Sequence, residues 1–260
     1  MTKTADGLYE VNLRPHGSHE KLLALVSRPE RALDVGCSTG YVAERLQARG
    51  TAVVGLDVDE RAAAQALRFC EAVHVGDVET MELPFEPASF DAIVCGDLIE
   101  HLRDPRAFLE RVRPLLRADG RLVLSTPNIA NWAMRLGLLF GRFRYTEWGI
   151  LDRTHTHLFT RKTLEECLRA AGYRISVFDF TVPVPVLSTP RVEALAHWIG
   201  RVRPSFFAYQ FVVAAVPDPA AALRPASAAE ETAAPLLPQH EMDARHGEVA
   251  VRQHDVRHLR

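Results

Sequence analysis

Five runs of apolar residues recur between residues 31 and 125, and stretches with helical periodicity separate them. The runs are rich in Val, Ile and Leu without strict alternation, and they cover residues 31–35, 52–57, 72–76, 90–95 and 121–125. Such runs are typical of strands that are covered on both faces. Helices are predicted at residues 18–27, 40–49, 59–69, 104–117 and 160–171. The alternation predicts a parallel sheet with helices on both sides, in which ligands bind at the carboxyl ends of the strands.

Cap and breaker residues support these bounds. Asp104 followed by Pro105 is a helix start signal, because the aspartate accepts hydrogen bonds from the first turn and proline lacks an N–H that would be unpaired there. Gly120 and Gly172 follow predicted helices as stop signals. Pro114 predicts a kink in the fourth helix or its early end.

The rest of the chain departs from this alternation. Residues 126–152 carry aromatics, arginines and glycines, and they are predicted to form an insertion over the sheet edge. Two late apolar runs, 173–180 and 206–216, flank a predicted helix at 190–202 and are expected to pair as strands. Residues 217–260 contain no Phe, Trp or Tyr, so we expect a folded domain over 1–216 and a disordered tail of Ala, Pro and charged residues over 217–260.

Composition narrows the class of protein. The chain has 260 residues, 47% of them apolar, and a formal net charge of -2. It therefore lacks the excess of cationic residues that would indicate binding to nucleic acid. No apolar run is long enough to span a bilayer, and the first residues lack the apolar core of a signal peptide. The four cysteines form no C-x-x-C pair, which favours a reducing compartment, and we expect a cytoplasmic protein.

The segment LDVGCSTGYVAERL joins the first predicted strand to a helix through a glycine-containing loop. Gly36 and Gly40 allow a ligand to approach the backbone, and the start of a helix favours an anionic group. A dinucleotide fingerprint would need glycines at 36, 38 and 41, but the chain has Ser38 and Tyr41. Asp57 ends the second strand, where an acid can accept both hydroxyls of a ribose. These residues predict a nucleoside-containing ligand without identifying it.

The successive segments LDVGCSTG, VVGLDVD, VGDVETMELPFEPASFDAIVCGDLIEHL and LRADGRLVLSTPN resemble the motifs of class I S-adenosylmethionine (SAM)-dependent methyltransferases. The resemblance covers roughly residues 9–216 and is strongest toward a bacterial group that also resembles ubiquinone O-methyltransferases. It implies an α/β fold with a Rossmann-like, seven-stranded, mostly parallel sheet whose last strand is antiparallel. One departure is Ser38, where the family's first loop often has a second glycine.

The resemblance also implies a cofactor site for SAM. Asp34 and the 36–40 loop would hold the amino acid end of SAM, Asp57 its ribose, and Asp77 with Val78 its adenine. The full set expected to bind the cofactor is Asp34, Gly36, Cys37, Ser38, Gly40, Asp57, Val58, Asp77, Val78, Cys95, Gly96 and Asp97.

Each of these roles has a structural alternative. Asp57 and Asp77 could cap helices or turns after their strands, and Asp97 could be the N-cap of the LIEHL segment. Related ubiquinone methyltransferases use an acid-x-x-Glu-His arrangement to hold a divalent cation, and Asp97, Glu100 and His101 fit that spacing. Acidic residues and histidines are also common on helices that bind no metal, and we expect no metal here.

Residues 151–160, LDRTHTHLFT, are the candidate catalytic segment. A hydroxyl acceptor benefits from a base, and histidine suits that role because its pKa lies near neutrality. In an extended conformation His155 and His157 would face the same side and could ligate a metal ion. Arg153 would face that side too and would repel a cation. The alternative is a loop in which one imidazole bonds to the backbone and Thr160 caps the next helix. The stretch resembles the family's Gly-x-Leu-Asp-Arg-Thr-His sequence, which implies His155 as the base with Asp152 and Arg153 as positioning partners.

Other histidines are weaker candidates for the base, namely His101, His16 and His19. Expected acceptor contacts lie in the insertion, at Asn128, Trp132 and Tyr145, with Asn131 and Arg142 as further candidates; the alternative is a helix packed on the sheet edge. The fourth strand ends in CGDL and lacks the Asn-Pro-Pro-aromatic motif of adenine-N6 methyltransferases, so we expect no nucleic-acid acceptor.

The sequence therefore predicts a methyltransferase that uses SAM and acts on a small-molecule or glycan-related acceptor, at a hydroxyl group. An NAD-dependent reductase and a non-catalytic methyltransferase-like binding module are the alternatives.

Overall fold

Seven strands form one sheet. The computed structural model describes residues 2–3, 9–10, 17–182, 198 and 200–220. The strands are β1 Arg31–Val35, β2 Ala52–Asp57, β3 Ala72–Val75, β4 Phe90–Gly96, β5 Leu116–Pro127, β6 Tyr173–Thr181 and β7 Gln210–Pro217. Their order across the sheet is β3-β2-β1-β4-β5-β7-β6. The first five strands in this order are parallel to one another, and β7 is antiparallel to both β5 and β6. The predicted fold class, including the antiparallel last strand, is confirmed.

Helices accompany the strands in chain order. They are α1 Ser18–Val26, α2 Tyr41–Gln47, α3 Glu60–Ala66, α4 Pro105–Val112, α5 Trp132–Leu139, α6 Arg161–Ala170 and α7 Pro204–Phe207. Two short 3-10 turns follow β4 and α4, at Ile99–His101 and Arg113–Leu115. A separate antiparallel pair joins Thr2–Lys3 to Tyr9–Glu10.

Apolar cores cover both faces of the sheet because successive strand residues point to opposite sides. In β1, Ala32 packs with residues of α1 and α2, and Leu33 packs with residues of α4 and α6. Neighbouring residues of β2 divide in the same way, with Val53 in the first core and Val54 in the second. Strands buried from both sides explain why the sequence shows continuous apolar runs instead of alternation.

The parallel register brings the carboxyl ends of β1, β2 and β4 to one edge of the sheet. Asp34 pairs with Gly55 of β2 and with Val94 of β4, and Asp57 pairs with Val75 of β3. The residues that follow these strands therefore lie side by side, where the sequence predicted a ligand site.

Helix α4 is shorter than predicted. Asp104 caps its start by accepting a hydrogen bond from the Ala107 N–H, as the Asp-Pro signal indicated. Its end comes at Val112, because Pro114 cannot continue the helix and a 3-10 turn follows. The prediction of helix to residue 117 was wrong, and β5 already begins at Leu116, which pairs with β4.

The two segments with irregular sequence are only partly described. The insertion contains α5, none of whose residues is buried, so it is not packed against the sheet edge as the alternative proposed. Most of the helix predicted at 190–202, and all of the tail beyond residue 220, lie outside the described residues. Within the described part, every helix is too short or too polar to cross a bilayer.

Candidate active site

The loop after β1 turns sharply through three residues with positive φ. Gly36, Ser38 and Gly40 have φ values of 73°, 48° and 85°. A Cβ atom at Gly40 would lie 2.8 Å from the Cα of Ala66, so close packing against α3 requires glycine there. Ser38 adopts the left-handed conformation in place of the glycine that is frequent in the family. The loop therefore turns through a left-handed residue 38 although its sequence departs from the family pattern.

Most amides of this loop are already bonded within the protein. The N–H groups of Gly36 and Cys37 both donate to the Leu56 carbonyl, at 2.8 and 3.0 Å. The Ser38 N–H donates to Asp57 Oδ2 at 2.6 Å, and the Gly40 N–H donates to the Cys37 carbonyl. The loop was expected to bind the carboxylate of SAM through its backbone N–H groups. Four of its five N–H groups are instead hydrogen-bonded within the protein.

Asp34 is the most unusual acid of the site. Its side chain is 2% exposed, and its Oδ2 atom has no hydrogen-bond partner among the described residues. Burial, reinforced by the nearby charge of Asp57, raises the pKa of Asp34 to about 7. A buried carboxylate without a partner costs free energy unless a cation meets it. The ammonium group of SAM fits this requirement.

Asp57 bonds to two loops at once. Its Oδ2 atom accepts from Ser38, and its Oδ1 atom accepts from the Asp59 N–H at 2.8 Å. The residue that caps α3 is Asp59, which accepts from Arg61 and Ala62. Asp57 therefore does not cap α3, but its Oδ1 atom caps the turn after β2, as the alternative allowed. The remaining lone pairs of its carboxylate can accept the hydroxyls of a ribose.

The loop after β3 is held by two arginines that the sequence did not single out. The side chain of Arg103 lies 3.4 Å from Asp77 Oδ2, and its backbone N–H donates to Glu79 at 3.0 Å. Arg111 donates to the carbonyls of Val78 and Glu79. The Oδ1 atom of Asp77 also accepts from Glu79, so the turn alternative applies to half of its carboxylate. Arg111 thus fixes the backbone of the loop expected to meet adenine, and Arg103 holds two of its acidic side chains.

Asp97 lies at the end of β4 in a left-handed conformation with φ of 51°. Ser125 donates to its Oδ1 atom at 2.6 Å, and the amide of Gln210 lies 3.0 Å from both carboxylate oxygens. The 3-10 turn that follows is preceded by Leu98 and has no side-chain cap, so the alternative of Asp97 as an N-cap is wrong. Ser125 and Gln210 come from β5 and β7, which no local signal near residue 97 could have indicated.

The two cysteines of the predicted cofactor site do not offer their side chains to a ligand. Cys37 and Cys95 are fully buried, Cys37 against Gly55 and Cys95 in the apolar core. Burial raises the pKa of both thiols far above the ordinary value, so they stay neutral. These residues can contribute backbone atoms only. Val58 is exposed beside Asp57 and is free to cover a bound nucleoside from the solvent side.

Residues 149–157 form a turn and not an extended segment. Gly149 has φ of 91°, and the Asp152 N–H donates to the Gly149 carbonyl. Asp152 is buried and accepts from both the N–H and the hydroxyl of Thr154, at 2.9 and 2.7 Å. Burial opposes the charged form of Asp152, but these hydrogen bonds and two nearby imidazoles outweigh it and hold its pKa below the ordinary value. The extended conformation, in which His155 and His157 would share one face, is therefore not adopted.

His155 has a defined tautomer. Its Nδ1 atom lies 3.1 Å from the Ile150 carbonyl, which can only accept, so Nδ1 carries the proton and Nε2 of the neutral ring is unprotonated. His101 is arranged in the same way, with Nδ1 3.2 Å from the Thr154 carbonyl. The two imidazoles meet edge to face with ring centroids 4.8 Å apart. Burial lowers the pKa of His101, as does repulsion from the imidazolium form of His155, and both effects favour the neutral ring of His101.

The other polar residues of the segment hold the loop. His157 donates from Nδ1 to the Leu102 carbonyl at 2.9 Å, and Thr160 caps α6 in a reciprocal pair with Thr163. Both features of the structural alternative are present, and His155 as well as His157 bonds to a backbone carbonyl. Arg153 is ion-paired with the exposed Glu147, so the structure does not bring it to His155 as a positioning partner.

Glu100 adds a buried acid to the two imidazoles. It is 1% exposed, neither carboxylate oxygen has a hydrogen bond of acceptable geometry within the described residues, and burial raises its pKa well above the ordinary value. One ligand atom each from Glu100, His101 and His155 lies within 4.8 Å of the others, a spacing that suits a metal ion. This set differs from the Asp97-containing set that the sequence suggested, because Asp97 is bonded to Ser125 and Gln210.

Two predicted acceptor contacts are structural instead. Asn128 and Asn131 are buried, and both donate to the Ala208 carbonyl at 2.9 Å. Their side-chain oxygens accept from the backbone of the α5 segment, so neither amide is available to a ligand. Trp132 and Tyr145 are exposed and remain candidates for contact with an acceptor. His19, a weaker candidate for the base, is buried and hydrogen-bonded to the Tyr41 hydroxyl, and His16 lies outside the described residues.

Comparison with known proteins identifies the class. A family model described as a methyltransferase domain matches residues 12–176. A protein of Mycolicibacterium smegmatis named "Probable S-adenosylmethionine-dependent methyltransferase" is 31% identical over 175 residues, which cover 66% of this chain and 64% of that protein. A ubiquinone biosynthesis O-methyltransferase of Paracidovorax citrulli is 30% identical over 179 residues, covering 66% of this chain and 73% of the relative. The chain thus spans less than two-thirds of the mycobacterial relative.

A solved structure shares the fold. It is the 1,6-didemethyltoxoflavin-N1-methyltransferase of Burkholderia thailandensis with bound 1,6-didemethyltoxoflavin and S-adenosylhomocysteine, at a TM-score of 0.52 and 20% identity over 78% of this chain and 79% of that chain. The chain belongs to the class I SAM-dependent methyltransferases, and SAM is the cofactor of this family. The alternative of an NAD-dependent reductase is thereby set aside.

Proposed function

We propose that the chain transfers the methyl group of SAM to a hydroxyl group of a small-molecule or glycan-related acceptor, with His155 as the general base. When bound, SAM supplies an electrophilic methyl group on its sulfonium. The observation that carries the proposal is the tautomer of His155, which leaves Nε2 unprotonated on a ring that meets His101 of the 3-10 turn after β4. The similarity to a ubiquinone biosynthesis O-methyltransferase supports oxygen as the methylated atom.

The site residues divide the work between alignment and proton transfer. Asp34 and Asp57 offer carboxylates that would orient the ammonium and the ribose, which fixes the direction of the methyl group. Asp152 holds the turn through Thr154 and carries a negative charge close to His155. That charge favours the imidazolium that forms when Nε2 takes the proton of an acceptor hydroxyl.

A matched pair of variants tests the base. His155→Asn keeps a donor that can reach the Ile150 carbonyl but removes Nε2, and we expect turnover to fall about 10²- to 10⁴-fold with unchanged affinity for S-adenosylhomocysteine. His157→Asn is the control, because this histidine also donates to a backbone carbonyl but lies outside the cluster. The acceptor for this assay is identified first: the protein is incubated with labelled SAM and fractionated metabolites, and mass spectrometry of the labelled product identifies the acceptor. Equal turnover of the two variants would refute His155 as the base.

A cation-assisted reaction is the second candidate, and the close spacing of Glu100, His101 and His155 favours it. Both imidazoles present an unprotonated Nε2 atom, and the carboxylate is buried without a partner, which suits a divalent ion. Dialysis against EDTA separates the two modes. Turnover that EDTA abolishes and Mg²⁺ or Zn²⁺ restores supports the cation, whereas turnover that EDTA leaves intact supports His155 as the base. Cofactor binding without turnover on any fraction would favour a non-catalytic binding module.

A further inference from the structure

The helix after β5 exposes an apolar stripe. Trp132, Leu136, Leu139 and Phe140 stand at positions i, i+4, i+7 and i+8, which places them on one face of the α5 segment. On a surface helix such a stripe normally faces the core. Here the four side chains are 42%, 47%, 77% and 68% exposed. A contiguous patch of exposed large apolar residues on a soluble protein usually marks a surface that binds a membrane, another protein or a ligand.

The stripe continues into two neighbouring segments. Phe143, Tyr145 and Trp148 follow it and are also exposed. On the other side the guanidinium of Arg135 lies 5.6 Å from the ring of Phe206, which brings α7 beside α5. Among the described residues leading to α7, Trp198 and Val202 are exposed. We call residues 132–148 together with 198, 202 and 206 the apolar–arginine surface.

Positive charge is interspersed with these apolar side chains. Residues 132–148 and 198–207 contain five arginines and a single acid, Glu147, a net charge of +4 in a chain of formal net charge -2. The acid is ion-paired with Arg153, so it does not neutralise the arginines. The arginines are Arg135, Arg142, Arg144, Arg201 and Arg203, all exposed.

We infer that the apolar–arginine surface binds an anionic lipid bilayer. Tryptophan, phenylalanine and leucine can enter the boundary between headgroups and acyl chains, while arginines beside them reach the phosphates. We favour a bilayer over a protein partner because the charge of this surface is almost uniformly positive, which matches the phosphate layer of an anionic membrane. The surface is tied to the candidate site, since Thr146 exchanges backbone hydrogen bonds with Leu151 and Arg153. Docking would therefore hold the His155 loop next to the bilayer.

Flotation of the full chain with vesicles tests this inference. Vesicles of phosphatidylcholine alone are compared with vesicles containing 30% phosphatidylglycerol, each at low and high salt. We expect binding to the anionic vesicles that weakens with salt, and much weaker binding to the neutral ones. Leu139→Ser with Phe140→Ser should lower the partition coefficient at least about tenfold on both vesicles, and Arg144→Ala with Arg201→Ala about 30-fold on anionic vesicles.

Matched controls come from exposed residues elsewhere. Leu67→Ser removes an exposed apolar side chain at the end of α3, and Arg45→Ala with Arg61→Ala removes two exposed arginines of α2 and α3. These controls should bind as the unaltered chain does, and circular dichroism should show that all variants are folded. Absence of binding to anionic vesicles at low salt would overturn the inference, as would equal binding by the surface variants and the controls. A dimer that Leu139→Ser with Phe140→Ser dissociates, without vesicle binding, would assign the surface to a second copy of the chain.

Discussion

Replacing Asp34 by asparagine should make the chain without cofactor more stable at alkaline pH and weaken its binding of SAM. The substitution keeps the size of the side chain and removes a carboxylate that is buried without a hydrogen bond on Oδ2. In the folded state burial raises the pKa of Asp34 from 3.8 to about 7. Because the folded state then keeps a proton that the unfolded chain releases, stability falls as pH rises between these two values.

The size of the effect follows from the shift. A difference of about three pKa units corresponds to about 4 kcal/mol once the pH exceeds both values. Between pH 5 and pH 8 the loss attributable to this group is about 2.5 kcal/mol. The asparagine variant lacks this loss, so its stability relative to the unaltered chain should rise by that amount over the same interval.

Urea unfolding at pH 5 and pH 8 measures this difference, and Asp119→Asn, which changes an exposed aspartate, is the control. The cofactor provides an independent readout, since an ammonium beside Asp34 expels its proton. Calorimetry of S-adenosylhomocysteine binding at pH 6.5, in two buffers of different ionisation enthalpy, should show release of most of a proton by the unaltered chain and none by the variant. Parallel stability profiles for the two chains, together with no proton release, would refute the account of Asp34.

Three further changes test other parts of the site. Ser38→Gly should raise the free energy of unfolding by about 0.5 kcal/mol, since relief of the left-handed conformation slightly exceeds the entropy that glycine adds to the unfolded chain; a loss in urea unfolding would contradict it. Asn128→Ala should destabilise the chain by about 2 kcal/mol in the same assay, because it leaves the buried Ala208 carbonyl with fewer donors. Arg111→Met should raise the Kd for S-adenosylhomocysteine several-fold by freeing the loop of Val78, and an unchanged Kd would show that this loop holds its shape unaided.

The sequence predicted the elements whose signals are local. The bounds of β1 and β2 match the apolar runs 31–35 and 52–57, because a strand covered on both faces leaves an unbroken apolar run. The predicted bound of α4 at residue 117 was too late because the helical periodicity continues that far, whereas the early end that Pro114 predicted is present. Local pattern and a single breaker conflicted there, and the backbone geometry of proline decided the outcome.

Side-chain roles were predicted less completely because long-range contacts decide them. Asp97 was placed correctly at the end of β4, but its partners Ser125 and Gln210 lie 28 and 113 residues away. Asn128 was expected to face an acceptor, yet the segment between α7 and β7 brings the Ala208 carbonyl to it. A polar residue after a strand can bind a ligand or pair with a distant backbone group, and only the folded structure distinguishes the two.

The two histidines of LDRTHTHLFT show how one turn determines a candidate mechanism. An extended chain would have placed His155 and His157 on one face, where they are chemically equivalent. The spacing of Asp152 and Thr154 is the signal of an aspartate turn, in which the side chain accepts from the backbone two residues later. That turn directs His155 toward His101, and His157 toward the Leu102 carbonyl. One imidazole thus keeps an unprotonated nitrogen in the cluster, and the other fixes the loop that presents it.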